Sequence, residues 1–235
     1  TETLVKAYNG RLTRFQPYFD TGPLARVHFQ IAIDRNHPEP DVDELEAEIT
    51  RLARTWDQAL RDAMVQSDSY GTDGEGARAF IGAFNAAYRE AFSPEEAMRD
   101  VAMMARLSAS APIVARAYRA VDEDPDKIRM KIYSRNGAIP LSRCVPVFEK
   151  MGLFAAFETG FPVRPREKPA SDAPDVYWVH DLSMRSESGA PIDLEEVAHR
   201  LEEAFVAVWS GYAENDGFNR LILVAGTTWR EAALI

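Results

Sequence analysis

From Leu24 to Ile33 the chain alternates strictly: Val27, Phe29, Ile31 and Ile33 are apolar, while Arg26, His28 and Gln30 are polar. A period of two reads as a half-buried strand of the antiparallel type. Residues 1–23 are mixed, with Phe15, Tyr18 and Phe19 around Pro17, and read as an arm that packs on something. After Pro38 and Pro40 the period becomes helical. Asp41 stands where a cap belongs, with Glu44 three residues on, and Leu45, Ile49, Leu52, Trp56 and Leu60 form one stripe. Asp43, Glu44, Glu46 and Glu48 crowd the opening turns, where the helix dipole favours negative charge. Ser67 to Gly76 reads as a polar loop. Ala77, Phe80, Ile81, Phe84 and Tyr88 predict a further helix. Ser93-Pro94-Glu95-Glu96 starts another, with Ser as cap and Pro in the first turn.

At Pro112 the period returns to two. Ile113–Val121 and the alternating Ile128, Met130 and Ile132 predict two strands joined by the polar turn Asp122–Pro125, hence a hairpin. Ser142–Met151 predicts a short helix with Ser142 as cap, which places Pro146 in its first turn. Gly152 stands where a left-handed C-terminal cap belongs. Leu153–Phe161 and Val176–Arg185 predict two more strands across a Pro- and charge-rich loop. Asp193 with Glu196 caps a long helix bearing Val197, Leu201, Phe205, Val208 and Tyr212. Beyond it, Phe218, Leu221, Ile222, Ala225 and Trp229 predict one helical face with no stop before Ile235. The chain also opens on Thr1 rather than Met, so the expectation is a piece of a longer polypeptide.

The centre of this order is β-α-β-β-α-β. It predicts an α+β fold: a ferredoxin-like split βαβ sheet, a helical insertion at about 67–110 in the first crossover, and C-terminal helices. The domain reading is an arm over 1–23, an α+β domain over 24–190, and the start of a helical region over 191–235. Helices cover one face of such a sheet, and the other face is expected to need another domain or a second copy.

Composition narrows the partners. The 235 residues carry a net charge of −10, which disfavours nucleic acid and anionic membrane. A single cysteine, Cys144, excludes an internal disulfide and fits a reducing, cytoplasmic setting. No signal-peptide pattern or apolar run of membrane-spanning length is present. The ferredoxin-like order is shared with RNA-recognition domains, but the strand RMKIYSR has one aromatic and the surface is acidic, against the pattern of such domains.

Candidate chemistry is sparse. Gly74-Glu75-Gly76-Ala77-Arg78-Ala79 matches G-x-G-x-x-A, but the residues before it are SDSYGTD and not the buried strand that a dinucleotide fingerprint requires. No cofactor is expected there. His28, His37, His180 and His199 show no metal-ligand spacing, and Cys144 has no cysteine partner, so no metal site is expected. His180 interrupts an apolar strand face and reads as a hydrogen-bonded core histidine. Asp181 beside it points to the opposite face. Cys144 reads as a small core residue, with a helix-start thiol of lowered pKa as the alternative. One place has the form of a small-molecule site: Asn136 and Gly137 lead into the helix start at Ser142, where a glycine loop and free N–H groups suit a carboxylate. An ordinary tight turn is the other reading.

Four stretches carry a resemblance: ARVHFQIAI (25–33), RMKIYSRNGAIPLSRCVPVFEKMGL (129–153), YWVHDLSM (177–184) and WSGYAENDGFNRLILVAGTTWREAALI (209–235). Together they resemble the large bacterial NAD-specific glutamate dehydrogenases, from about residue 24 to the end. The resemblance implies an ACT-type regulatory domain followed by the start of a helical region, both ahead of the catalytic domain. The family's catalytic lysine, glutamate pocket and Rossmann domain lie downstream, so it implies no catalytic residue here and NAD bound only elsewhere in the parent. The implied partners are other domains of the same polypeptide, a homo-oligomer of the parent, and an amino acid or small carboxylate effector. The rival expectation is a structural module in which Phe15, Phe19, Trp209 and Trp229 pack on other domains.

Overall fold

The computed structural model describes residues 2–19, 25–33, 40–53, 55–66 and 74–235. They form two compact units, 1–55 and 56–235. In the first, α1 (Glu2–Ala7) leads to a hairpin of β1 (Arg11–Phe19) and β2 (Ala25–Ala32), and α2 (Val42–Ala53) closes the unit. Gly10 is required by close approach: a Cβ there would lie 2.5 Å from Ile31 Cγ2 and 2.6 Å from the Ala32 carbonyl oxygen. Asp41 caps α2 as expected, its Oδ1 accepting from the Asp43 and Glu44 N–H groups at 3.0 and 3.1 Å.

The pairing of β2 corrects two readings. The strand expected at Leu24–Ile33 is present, but its partner is Arg11–Phe19. It is therefore not the first strand of the larger sheet, and the stretch read as an arm holds a helix and a strand. Alternation states that a strand is half-buried; it does not state which strand lies beside it. The side chains of Phe15 and Phe19, the Pro38 turn, His37, and Ser67–Asp73 of the polar loop lie outside the described residues.

The second unit begins with α3 (Trp56–Gln66), α4 (Gly74–Arg78), α5 (Ala86–Ala91) and α6 (Pro94–Met104). The sheet follows: β3 (Ile113–Tyr118), β4 (Lys127–Ser134), α7 (Leu141–Lys150), β5 (Leu153–Val163), β6 (Tyr177–Ser186) and α8 (Leu194–Trp209). Its strand order is β3-β4-β6-β5, with each neighbour antiparallel. Two short helices, α9 (Arg220–Val224) and α10 (Trp229–Ala232), end the chain described.

Alternation sorts the strands onto two cores. Ile113, Ala115, Ile128, Met130, Ile132, Leu182 and Met184 face α7 and α8, where Phe148 and Phe205 stack with centroids 4.8 Å apart. Val114, Tyr133, Phe161, Val163 and Val179 face the opposite way, onto Leu60, Phe84, Tyr88 and Met104 of the helical segment. The expectation that the second face needs another domain or copy is thus corrected in part, because the chain's own helices cover it. They leave its far end open: Phe154 and Phe157 lie on that face, 54% and 79% exposed, opposite Arg185 and Ser183.

Several element boundaries differ from expectation, each for a local reason. The stripe Leu45–Leu60 is divided between α2 and α3. The helix expected across Ala77–Tyr88 is broken at Gly82, whose φ of +76° is left-handed, and Asn85 then caps α5 by accepting from the Tyr88 N–H at 2.8 Å. The C-terminal helical face is also broken. Gly226 has a φ of +63°, and Thr228 and Glu231 form a capping box that starts α10 afresh. Ser93, Asp193 and Gly152 take the capping roles expected of them.

Candidate functional site

The Asn136 loop joins β4 to α7. Gly137 has a φ of +100°, and a Cβ built there would meet nothing within 4 Å, so conformation alone calls for glycine and the surrounding space is open. Asn136 is exposed, its N–H donating to Ser134 Oγ at 3.2 Å. The helix start differs from expectation: Pro140 occupies the capping position with no side-chain cap, and Ser142 lies exposed inside the first turn. Pro146 is consequently within the helix, where it cannot donate back to the preceding turn. Proline at 140 presets the φ of −72° seen there, so a hydroxyl cap is not needed to turn the chain. Among the described residues no hydrogen bond joins Ser142 to Asn136 or Gly137.

His180 anchors this loop from below. It is buried, and its Nε2 accepts the Ile139 N–H at 3.1 Å. That leaves Nδ1 as the protonated nitrogen, donating to Glu158 Oε1 at 2.6 Å. Asp181 faces the other side of the sheet, accepting from the Tyr118 hydroxyl at 2.8 Å and Arg129 at 2.9 Å. The two neighbours are not a catalytic pair. Cys144 is fully buried, and burial first, then the Glu158 charge, pushes its thiol up to about 12, opposite to activation. His199 is exposed on α8, within 3.9 Å of Glu202 and 3.5 Å of Glu203. Among the described residues no group of His, Cys, Asp and Glu is placed to hold a metal ion. No helix among them is long and apolar enough to cross a membrane.

The most distinctive chemistry lies on the covered half of the second sheet face. Lys131 is fully buried there, its Nζ 2.7 Å from Asp100 Oδ2 and 2.8 Å from Glu96 Oε1. It also stands 3.7 Å above the Phe92 ring. Asp100, itself fully buried, accepts from the Tyr133 hydroxyl at 2.7 Å and from the Tyr88 hydroxyl. Arg116 pairs with Glu96 and lies 3.5 Å from Asp100. Burial and then the Asp100 charge raise both tyrosine hydroxyls far above their ordinary value. Burial alone would raise Glu96, but the Lys131 and Arg116 charges outweigh it and hold the carboxyl low.

Sequence reasoning missed this cluster. Arg129, Lys131 and Tyr133 occupy the polar phase of their strand, which reads as solvated. The available signal was on the helix: Asp100 falls among Ala97, Val101 and Met104, on the face that α6 buries. The cluster is closed, each charge meeting another inside the protein. Its chemistry is to hold α6 against β3 and β4.

Comparison with known proteins accounts for most of the chain in consecutive blocks. Family models described as glutamate dehydrogenase ACT2 domain, helical motif 2, ACT3 domain and helical motif 3 match residues 1–57, 74–107, 112–197 and 213–235. The third block begins just before β3 and runs into α8. An NAD-specific glutamate dehydrogenase of Halomonas elongata is 33% identical over 100% of this chain, which spans 14% of that protein. Proteins of the same name from Pseudomonas aeruginosa and Mycobacterium tuberculosis are 30% and 26% identical, and the chain again covers 15% of each.

Proposed function

The chain belongs to the family of large bacterial NAD-specific glutamate dehydrogenases, and from that premise we propose that it is a non-catalytic regulatory and assembly segment of such an enzyme. The parent reaction is the oxidative deamination of L-glutamate to 2-oxoglutarate, with NAD bound elsewhere in the longer polypeptide. The setting is cytoplasmic and the parent a homo-oligomer. The crossover β4-α7-β5, with β6 between its strands, supports a ferredoxin-like, ACT-type reading of the sheet. On that reading, an amino acid or small carboxylate binds at Asn136, Gly137 and the α7 start at Ser142. The observation that carries this is the open space at Gly137, in the loop leading to a helix start that no side chain caps.

Calorimetric titration of the 235-residue chain with amino acids and small di- and tricarboxylates tests it. Saturable heat from one ligand, abolished by Asn136→Asp, is the expected result. Binding unaffected by Asn136→Asp and by Gly137→Val would overturn the site.

One observation favours a second reading, a structural module without a ligand: Phe154 and Phe157 stand exposed on the edge strand β5. Trp209 and Trp229 are half-buried against the α7–α8 core.

A further inference from the structure

One hollow of the second unit opposes the charge of the whole. The chain carries −10, yet a hollow of about 650 Å³ is lined by Arg61 of α3, Arg78 of α4, and Arg166 and Lys168 of the β5–β6 loop, with Glu167 as the one carboxylate among the described lining residues. Lys168 has an ion-pair partner, Asp175 at 3.1 Å. Arg61, Arg78 and Arg166 have no side-chain hydrogen bond or ion pair among the described residues. Other arginines of the unit, Arg116, Arg129, Arg135 and Arg220, are paired with carboxylates, whereas Arg106 and Arg143 reach a thioether sulfur and a backbone carbonyl.

The convergence is built by backbone. Phe84 forms a bridge to Val163, the Arg164 N–H donates to the Ala83 carbonyl at 3.0 Å, and the Arg166 N–H donates to the Ala79 carbonyl at 3.2 Å. These bonds tie the end of β5 to the segment after α4. The Arg166 guanidinium rests against Gly82, where a Cβ would come within 2.9 Å of its Nε and Nη2. Glycine at 82 therefore serves both the left-handed turn and the seat of this arginine.

Like charges gathered in one concavity repel one another and focus a positive potential, which a bound anion relieves. Arginine forks match the oxygens of phosphate and carboxylate in pairs. The hollow has the size of a small-molecule site. We propose that it binds a compact anion carrying two or more charges, a phosphate or polycarboxylate compound, with Arg78 and Arg166 as the principal contacts. Gly76, Arg78 and Ala79 of the G-x-G-x-x-A stretch line it. Side-chain charge from three chain segments makes the site, not a strand-to-helix turn.

The test is titration of the 235-residue chain with sodium pyrophosphate and, separately, propane-1,2,3-tricarboxylate, at ionic strength held constant with sodium chloride. One saturable event is expected, weakened roughly tenfold or more by Arg166→Gln, as for the loss of a charged hydrogen-bond pair. Arg61→Gln with Arg78→Gln gives the same loss, and Arg230→Gln on α10 gives none. Thermal midpoints of the variants show that the fold persists. Tighter pyrophosphate identifies a phosphate source and tighter tricarboxylate a carboxylate source. Heat that follows ionic strength alone, or binding that survives both sets of variants, overturns the site. Asn136→Asp leaves pyrophosphate binding unchanged, which separates this site from the α7 loop.

Discussion

Lys131 shows what a single position can hold. A buried ammonium is tolerable only when its charge and donors are met, and removing one partner of such a cluster leaves the rest uncompensated. Asp100 receives Lys131, Tyr88 and Tyr133 together. Asp100→Ala is expected to cost about 3–5 kcal/mol of stability, read from urea unfolding. Asp100→Leu combined with Lys131→Met should cost less than Asp100→Ala alone, since no unpaired charge stays buried. A loss below about 1 kcal/mol in the single variant would place the cluster with weak surface pairs. At this scale the sequence shows residue types but not their environment. Lys131 and Arg129 share a strand phase, yet one is sealed by α6 while the other remains part-exposed.

At the scale of elements, the signals read well are those that act within a few residues. Ser93, Asp193 and Asp41 each cap the helix that follows them. Gly152 ends α7 with a φ of +85°. Its substitution isolates conformation from packing, because a Cβ there would find its nearest neighbour, Arg220 Cγ, at an ordinary 3.5 Å. Gly152→Ala should therefore cost about 1–2 kcal/mol through backbone strain alone. An unchanged unfolding midpoint would mean that the turn relaxes out of the left-handed region. The misread elements failed where two local signals competed. Around Ala225 the apolar period continues, but Gly226 and the Thr228–Glu231 box start a new helix. At Gly82 the apolar period likewise runs through a residue whose backbone turns the other way.

For the whole molecule, the sheet's second face decides how much surface is left for others. Helices α3–α6 cover the end bearing Tyr133 and Val179, and Phe154 and Phe157 stay in solvent at the other. Exposed aromatics on an edge strand invite pairing. If this end serves assembly, Phe157→Lys should lower self-association in sedimentation velocity while leaving the thermal midpoint within about 2 °C, as expected for an exposed position. Unchanged sedimentation would remove this strand from any assembly role. The acidic balance acts at the same scale, keeping the chain apart from other polyanions while one hollow runs against it.

The sequence alone determined the existence of β2 to β6, the caps of α2, α6 and α8, and the core character of Cys144 and His180. Each depends on periodicity or on contacts a few residues away, which the order of residues contains. Tertiary structure decided that β2 pairs with β1 and not with the larger sheet, because alternation specifies a face but not a partner. It also decided that Lys131 is buried, that Pro140 and not Ser142 opens α7, and that Arg61, Arg78 and Arg166 meet. Those residues are separated by up to about a hundred positions, and only the packing of distant segments gives them a common environment.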